Sequence, residues 1–141
     1  MNYLVYLDSR AGELEKILSG VKTMLVKEFD PAQTSALSVN PGDSLYFLRD
    51  QDDCAVRVKA TVVRILFITQ HEEDLAHTLK EMQPRLQLTE EQFNFWAGKD
   101  DIQLVEFESA HKISVIQVAS RKTTGPVDWI AFEAISQITS R

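Results

Sequence analysis

The sequence predicts an α+β domain, a small mixed or antiparallel β-barrel of five to six strands with covering helices. Three observations carry that expectation. Short apolar runs rich in β-branched and aromatic residues recur along the chain, joined mostly by turns rather than crossover helices. One long run, Ala55 to Ile68, changes the phase of its alternation midway, as a bulged and strongly bent strand does. Two helical patterns then follow one another directly.

The elements come in order. Tyr3 to Leu7 is a short, strongly apolar run and reads as a buried strand rather than a signal peptide. Asp8 or Ser9 is placed to cap the helix after it. Leu14, Ile17 and Leu18 fall on one face of that helix. Gly20 stands where a left-handed glycine ends a helix. Thr23 to Phe29 is the second strand, with Met24 and Val26 on one side and Thr23, Leu25 and Lys27 on the other. Asp30 to Asp43 is loop-like, broken by Pro31, Asn40-Pro41 and Gly42-Asp43.

Leu45 to Leu48 is a short strand, and Asp50 to Asp53 a polar turn. In the long strand Val56, Val58, Ala60 and Val62 share a face, after which the apolar phase passes to Val63, Ile65 and Phe67. Thr69-Gln70-His71-Glu72 has capping-box spacing, ahead of Leu75, Leu79 and Met82. Pro84 ends that helix or kinks the chain just beyond it. Thr89 and Gln92 make a second capping box, with Leu88 and Phe93 as its hydrophobic staple, and Gly98 closes the helix. Leu104 to Glu108 and Ile113 to Val118 read as two strands, and Ser120 to Pro126 as a loop. Trp129 to Ile138 fits a strand, a short helix, or one after the other.

A chain of 141 residues fits one domain, residues 1–141, with a core from about 3 to 132 and a short C-terminal tail. The longest apolar run, Ile65 to Ile68, is far short of a membrane helix. Cys54 is the single cysteine, so no disulfide forms within the chain, and a reducing, cytoplasmic setting is expected. His71, His77 and His111 are scattered without metal-ligand spacing, so neither a metal nor another cofactor is expected. No nucleophile elbow, Walker loop or dinucleotide fingerprint occurs. A net charge of −6 argues against broad binding to polyanions while leaving room for a local basic cleft.

Gly20-Val21-Lys22-Thr23 resembles the G-x-K-T element that ASCH domains carry between an N-terminal helix and the next strand. Pro41-Gly42-Asp43-Ser44-Leu45-Tyr46-Phe47 resembles their glycine–aspartate turn into a barrel strand. The Leu88–Phe93 segment, Trp96-Ala97-Gly98-Lys99 and Asp128-Trp129-Ile130 look like an uncharacterised bacterial group at the edge of that family. The resemblance spans roughly residues 3 to 132. It implies a PUA-like barrel, a cleft beside the Gly20–Thr23 loop, and an association with RNA or modified nucleosides. Some small ASCH proteins remove an acyl group from acetylated cytidine, using a lysine of this loop, a threonine three residues on and a helix glutamate. Lys22 matches the lysine, but Leu25 stands at the threonine position and supplies no hydroxyl.

Three functions remain open. One is a module binding RNA or a nucleotide-like small molecule, with Gly20, Lys22, Thr23, Lys27, Arg57, Lys59 and Trp129 as ligand contacts. Lys22 would be the anion contact there, and Trp129 or Phe95 the stacking ring. Phe93 and Trp96, at helical spacing, read as core. The second is an amidohydrolase acting on an acylated nucleoside, with Lys22 catalytic; Leu25 weighs against an enzyme. The third is a protein-interaction domain. No membrane partner is expected.

Overall fold

The computed structural model describes residues 1–28, 39–69, 74–119 and 129–139. Strand β1 (Asn2–Tyr6) leads into helix α1 (Glu13–Leu18) and strand β2 (Met24–Glu28). Strands β3 (Ser44–Leu48) and β4 (Ala55–Thr69) come next, then helices α2 (Leu75–Leu86) and α3 (Glu90–Ala97). Strand β5 (Asp101–Gln117), strand β6 (Trp129–Phe132) and a 3-10 turn (Ile135–Gln137) complete the order. The six strands form one sheet in the order β2-β5-β4-β3-β1-β6. Only β1 and β3 run parallel; the other neighbours are antiparallel. The expected mixed sheet with covering helices is what forms.

The sheet curls into a barrel because β4 and β5 are long and bulged. Their pairing shifts register between Val56 and Val58, Lys59 and Thr61, and Val62 and Arg64. The phase slip in the sequence is the last of these. Val62 and Ile65, an odd number of residues apart, both serve the barrel interior. That interior gathers Tyr3, Val5, Leu25, Leu45, Phe47, Val58, Val105 and Phe107 from five strands, with Leu14 and Ile17 of α1 plugging one side. Each fully buried aliphatic or aromatic side chain there contributes about 1.5–3 kcal/mol. On the outer face, Met24 and Val26 of β2 and Ile102 and Leu104 of β5 meet Leu75, Leu79 and Leu86 of α2. The period-2 division of β2 is thus as expected, with Leu25 inward and Met24 and Val26 outward. A third cluster joins Tyr6, Tyr46, Leu48 and Phe132 under Ile138.

Several local expectations are corrected. Asp8 and Ser9 do not cap α1: its N-cap is Gly12, in the left-handed region at φ 65°. Asp8 Oδ1 instead accepts from Arg10 N at 3.0 Å, and Asp8 N donates to Glu13 Oε1 at 2.7 Å. Helix α2 is capped by Asp74, whose side chain accepts from His77 N, so the Thr69 box does not begin it; residues 70–73 lie outside the described residues. Pro84 sits inside α2, in its last turn, and costs the helix one N–H bond. The two strands expected around residues 104–118 are one strand of 17 residues, β5, with Ser109 at φ 59° inside it. Its pairing with the similarly long β4 carries it through a polar middle that lowered its apparent strand content. The final segment is a strand followed by a turn of 3-10 helix.

The second capping box forms as read: Thr89 Oγ1 accepts from Gln92 N at 3.2 Å, and Thr89 N donates to Gln92 Oε1 at 3.0 Å. The Pro41-Gly42-Asp43 turn closes on the β4 bulge, Gly42 N donating to Val62 O and Val62 N to Asp43 O. Gly42 takes φ 95°, open to glycine and strained for other residues. No helix of the described residues is long and apolar enough to cross a membrane.

Candidate ligand cleft

Helix α1 ends on Gly20 at φ 85°, and the chain turns back at once into β2. That reversal lays Lys22 and Thr23 against the C-terminus of α2. Helices leave their last carbonyls without partners. Here three successive ones are filled from α1 and the α1–β2 segment: Thr23 N donates to Arg85 O, Lys22 Nζ to Leu86 O, and Lys16 Nζ to Gln87 O. Both ammonium groups also sit at the negative end of the α2 dipole.

Lys22 is 1% exposed. Its ammonium lies 3.4 Å from Glu13 Oε2, itself a buried carboxylate on the first turn of α1. Burial pushes the Lys22 pKa below the ordinary lysine value, and nearby Lys16 adds to that; the Glu13 charge and hydrogen bond push it back up. Lys22 is therefore not a solvated loop lysine. It is a pinned ammonium whose charge already has a carboxylate.

The Lys22–Glu13 pair borders a cleft of about 560 Å³, a size that suits a small molecule. One wall is the end of β1 and the turn after it, Val5 to Arg10. A second is Leu25 and Val26 of β2, and a third is Leu88, Glu91, Gln92, Phe95 and Trp96, on and before α3. The Asp50-Gln51-Asp52 turn and Trp129 of β6 complete it. Both tryptophans of the chain therefore face one cavity. Phe95 and Trp96 stand edge to face at 5.1 Å, and Trp129 is edge to face with Tyr3 at 5.9 Å. Phe95 is 57% exposed, so one aromatic face is open to solvent.

Trp129 also marks where the barrel edges meet. Lys27 of β2 points inward beside Leu25, and its ammonium lies 6.0 Å from the centroid of the Trp129 ring on β6. Burial lowers the Lys27 pKa. The two edge strands are joined there by side chains.

The expected contacts divide into three places. Lys22 and Trp129 line the cleft, and Lys27 lies behind Trp129. Gly20 and Thr23 line a separate depression of about 280 Å³, with Lys22 between the two. Arg57 and Lys59 are on the outer wall: Arg57 pairs with Asp53 at 3.6 Å and Lys59 lies over the Tyr46 ring at 5.3 Å. Alternation puts them opposite Val58 and Ala60, which face inward, so they cannot join the cleft. A single basic lining is thus corrected to one buried lysine and an outer stripe. Trp96, read as core, packs against the outer core and also lines the cleft, and Glu91 of the same helix lines it too. Glu13 went unseen as well. Its signal was its place one turn before the buried Ile17.

No protein-family model matches the chain, and no curated protein does. Solved structures do. The ASCH protein of Zymomonas mobilis matches with a TM-score of 0.69 at 14% identity, covering 96% of this chain and 91% of that one. A serine-to-alanine variant of the same protein gives the same values. A tyrosine-to-phenylalanine variant matches with a TM-score of 0.67, also at 14% identity, over 96% of this chain and 93% of that one. The fold of this chain is therefore the α+β fold of the Zymomonas mobilis ASCH protein, a member of the family whose elements its Gly20–Thr23 and Pro41–Phe47 segments resemble.

Proposed function

We propose that this chain is an ASCH-family binding module whose cleft takes a nucleoside-type small molecule, stacked between the α3 aromatics and Trp129. The supporting observation is the convergence of both tryptophans and a buried ammonium–carboxylate pair on one cavity. Rings give a flat base sequence-tolerant stacking worth about 1–3 kcal/mol per base. The polar pair offers an acceptor and donors at the ring's edge. A long RNA fits this reading less well than a single nucleoside, because the cations on the outer wall are not continuous with the cleft. The single cysteine fits a cytoplasmic protein.

Intrinsic fluorescence tests the reading directly, since both emitters border the site. Titration with nucleosides is expected to change the emission saturably, and Trp96→Leu to weaken binding about tenfold. Unchanged emission with every nucleoside and with short single-stranded RNAs at low salt would rule the module out.

The second reading is amide hydrolysis on an acylated nucleoside. It is favoured by the lowered Lys22 pKa beside Glu13. In its neutral form Lys22 takes a proton from water as the water oxygen attacks the acyl carbon. The ammonium so formed, held by Glu13, returns the proton to the departing exocyclic nitrogen, leaving a free amine and a carboxylic acid. Leu25, in the cleft wall, supplies no hydroxyl to this step. Incubation with acetylated cytidine separates the readings: cytidine release abolished by Lys22→Met in protein that circular dichroism shows to be folded supports the enzyme, and no release at high protein concentration rejects that substrate.

A further inference from the structure

We propose that the cleft selects a planar ring bearing a positive charge, an N-alkylated nucleobase without phosphate, over the neutral ring and over its phosphorylated form. This rests on the nucleoside reading and adds the charge of the ligand.

The cavity and its rings define the site; the carboxylates around it set the sign. Lys22 and Glu13 face each other at 3.4 Å and offset one another. What remains of the charged lining is Asp8, Asp50, Asp52 and Glu91 against Arg10. Among the described residues none of these four carboxylates stands in an ion pair. Two of them are fixed by their own turns, Asp8 accepting from Arg10 N and Asp50 from Asp52 N, each at 3.0 Å.

The rings point the same way. The face of an aromatic ring attracts cations. Two rings of this cleft already collect the protein's own: Lys99 lies 4.6 Å from the Phe95 centroid and Lys27 6.0 Å from that of Trp129. Trp96 is the ring of the three that holds no such lysine among the described residues. A phosphate, in contrast, would face unpaired carboxylates, and the one buried cation is committed to Glu13 and the Leu86 carbonyl. A ring with delocalised charge gains from the carboxylates and the π faces together, and it sheds water more readily than a compact ammonium does.

The test compares four ligands by tryptophan fluorescence at neutral pH: 1-methyladenosine, a cation; N6-methyladenosine, its neutral isomer; adenosine; and adenosine 5′-monophosphate. The cation is expected to bind about tenfold more tightly than its isomer, and the monophosphate more weakly than adenosine. Asp52 and Glu91 are exposed, so Asp52→Asn with Glu91→Gln leaves the fold intact and should cut the preference several-fold. Equal affinity for the two isomers overturns this inference while the nucleoside reading stands. A preference that survives the double substitution also overturns it, since the charge would then be read elsewhere. Silence with all four ligands overturns both.

Discussion

Lys22 Nζ lies 3.4 Å from Glu13 Oε2, and the pair ties α1 to the segment that leads into β2, where both meet the end of α2. The lysine of the ASCH-like loop is thus a structural pin as well as a cleft residue. Removing one partner of a buried pair leaves an uncompensated charge and typically costs about 3–5 kcal/mol. Lys22→Met and Glu13→Gln should each destabilise the protein strongly in urea unfolding. The double variant should fall short of the sum by about 1–3 kcal/mol. Strict additivity would show that the two groups do not interact.

The same lysine gives stability a pH dependence of definite sign. Its folded pKa is lowered, so between that value and the unfolded value of about 10.4 the unfolded chain binds more protons. Stability contributed by Lys22 therefore rises with pH across that window and levels off above it. Lys27 acts in the same direction. Tyr3 acts oppositely, since burial raises its pKa, and its contribution falls as pH passes about 10. The difference between wild type and Lys22→Met, measured by unfolding from pH 7 to about 10.5, cancels the other groups. It should climb with pH; a flat difference would show that Lys22 titrates as a free lysine.

Gln103 is the reverse case, a buried polar group with no return. Its side chain faces the barrel interior from β5 and is 3% exposed, and its Oε1 has no hydrogen-bond partner among the described residues. A buried acceptor left unpaired costs about 1–3 kcal/mol. Gln103→Met, of similar volume, is expected to stabilise the protein by about 1 kcal/mol in a denaturant titration. A loss of stability would indicate that the amide is held by a partner.

Gly20 separates backbone from packing. A Cβ there would meet nothing within 4 Å, yet φ is 85°. Gly20→Ala should therefore cost about 1 kcal/mol through conformation alone, and Gly20→Asn less, because asparagine tolerates left-handed backbone. Equal melting temperatures for all three proteins would contradict this.

Much of this fold was legible where the signal is local. The β1 run, the Gly20 stop, the Thr89–Gln92 box and the phase slip in β4 are each written in a few neighbouring residues, and each formed. The α2 start was misplaced because Thr69 and Asp74 are both competent caps, and only packing of Leu75 and Leu79 on β2 and β5 decides between them. The cleft was the harder problem. Lys22 and Trp129 were legible from the family resemblance, but their setting depends on where α3 lands. Nothing in the spacing of Glu13, Glu91, Trp96 and Trp129 announces that α1, α3 and β6 converge. Arg57 and Lys59 were misassigned because alternation tells that two residues share a face, not whether that face looks in or out.

The parallel pairing of β1 with β3, and its other edge with β6, has a consequence for how the molecule is made. Tyr3 lies opposite Leu45 on one side and Ala131 on the other. The first strand thus waits for partners about a third of the chain away and then nearly at its far end. The β4–β5 ladder also spans the two intervening helices. Such distant pairings are slow to form. During synthesis, the apolar stretch from Tyr3 to Leu7 leaves the ribosome long before Trp129 exists to cover it. That interval is when this protein is most open to mispairing and to chaperones.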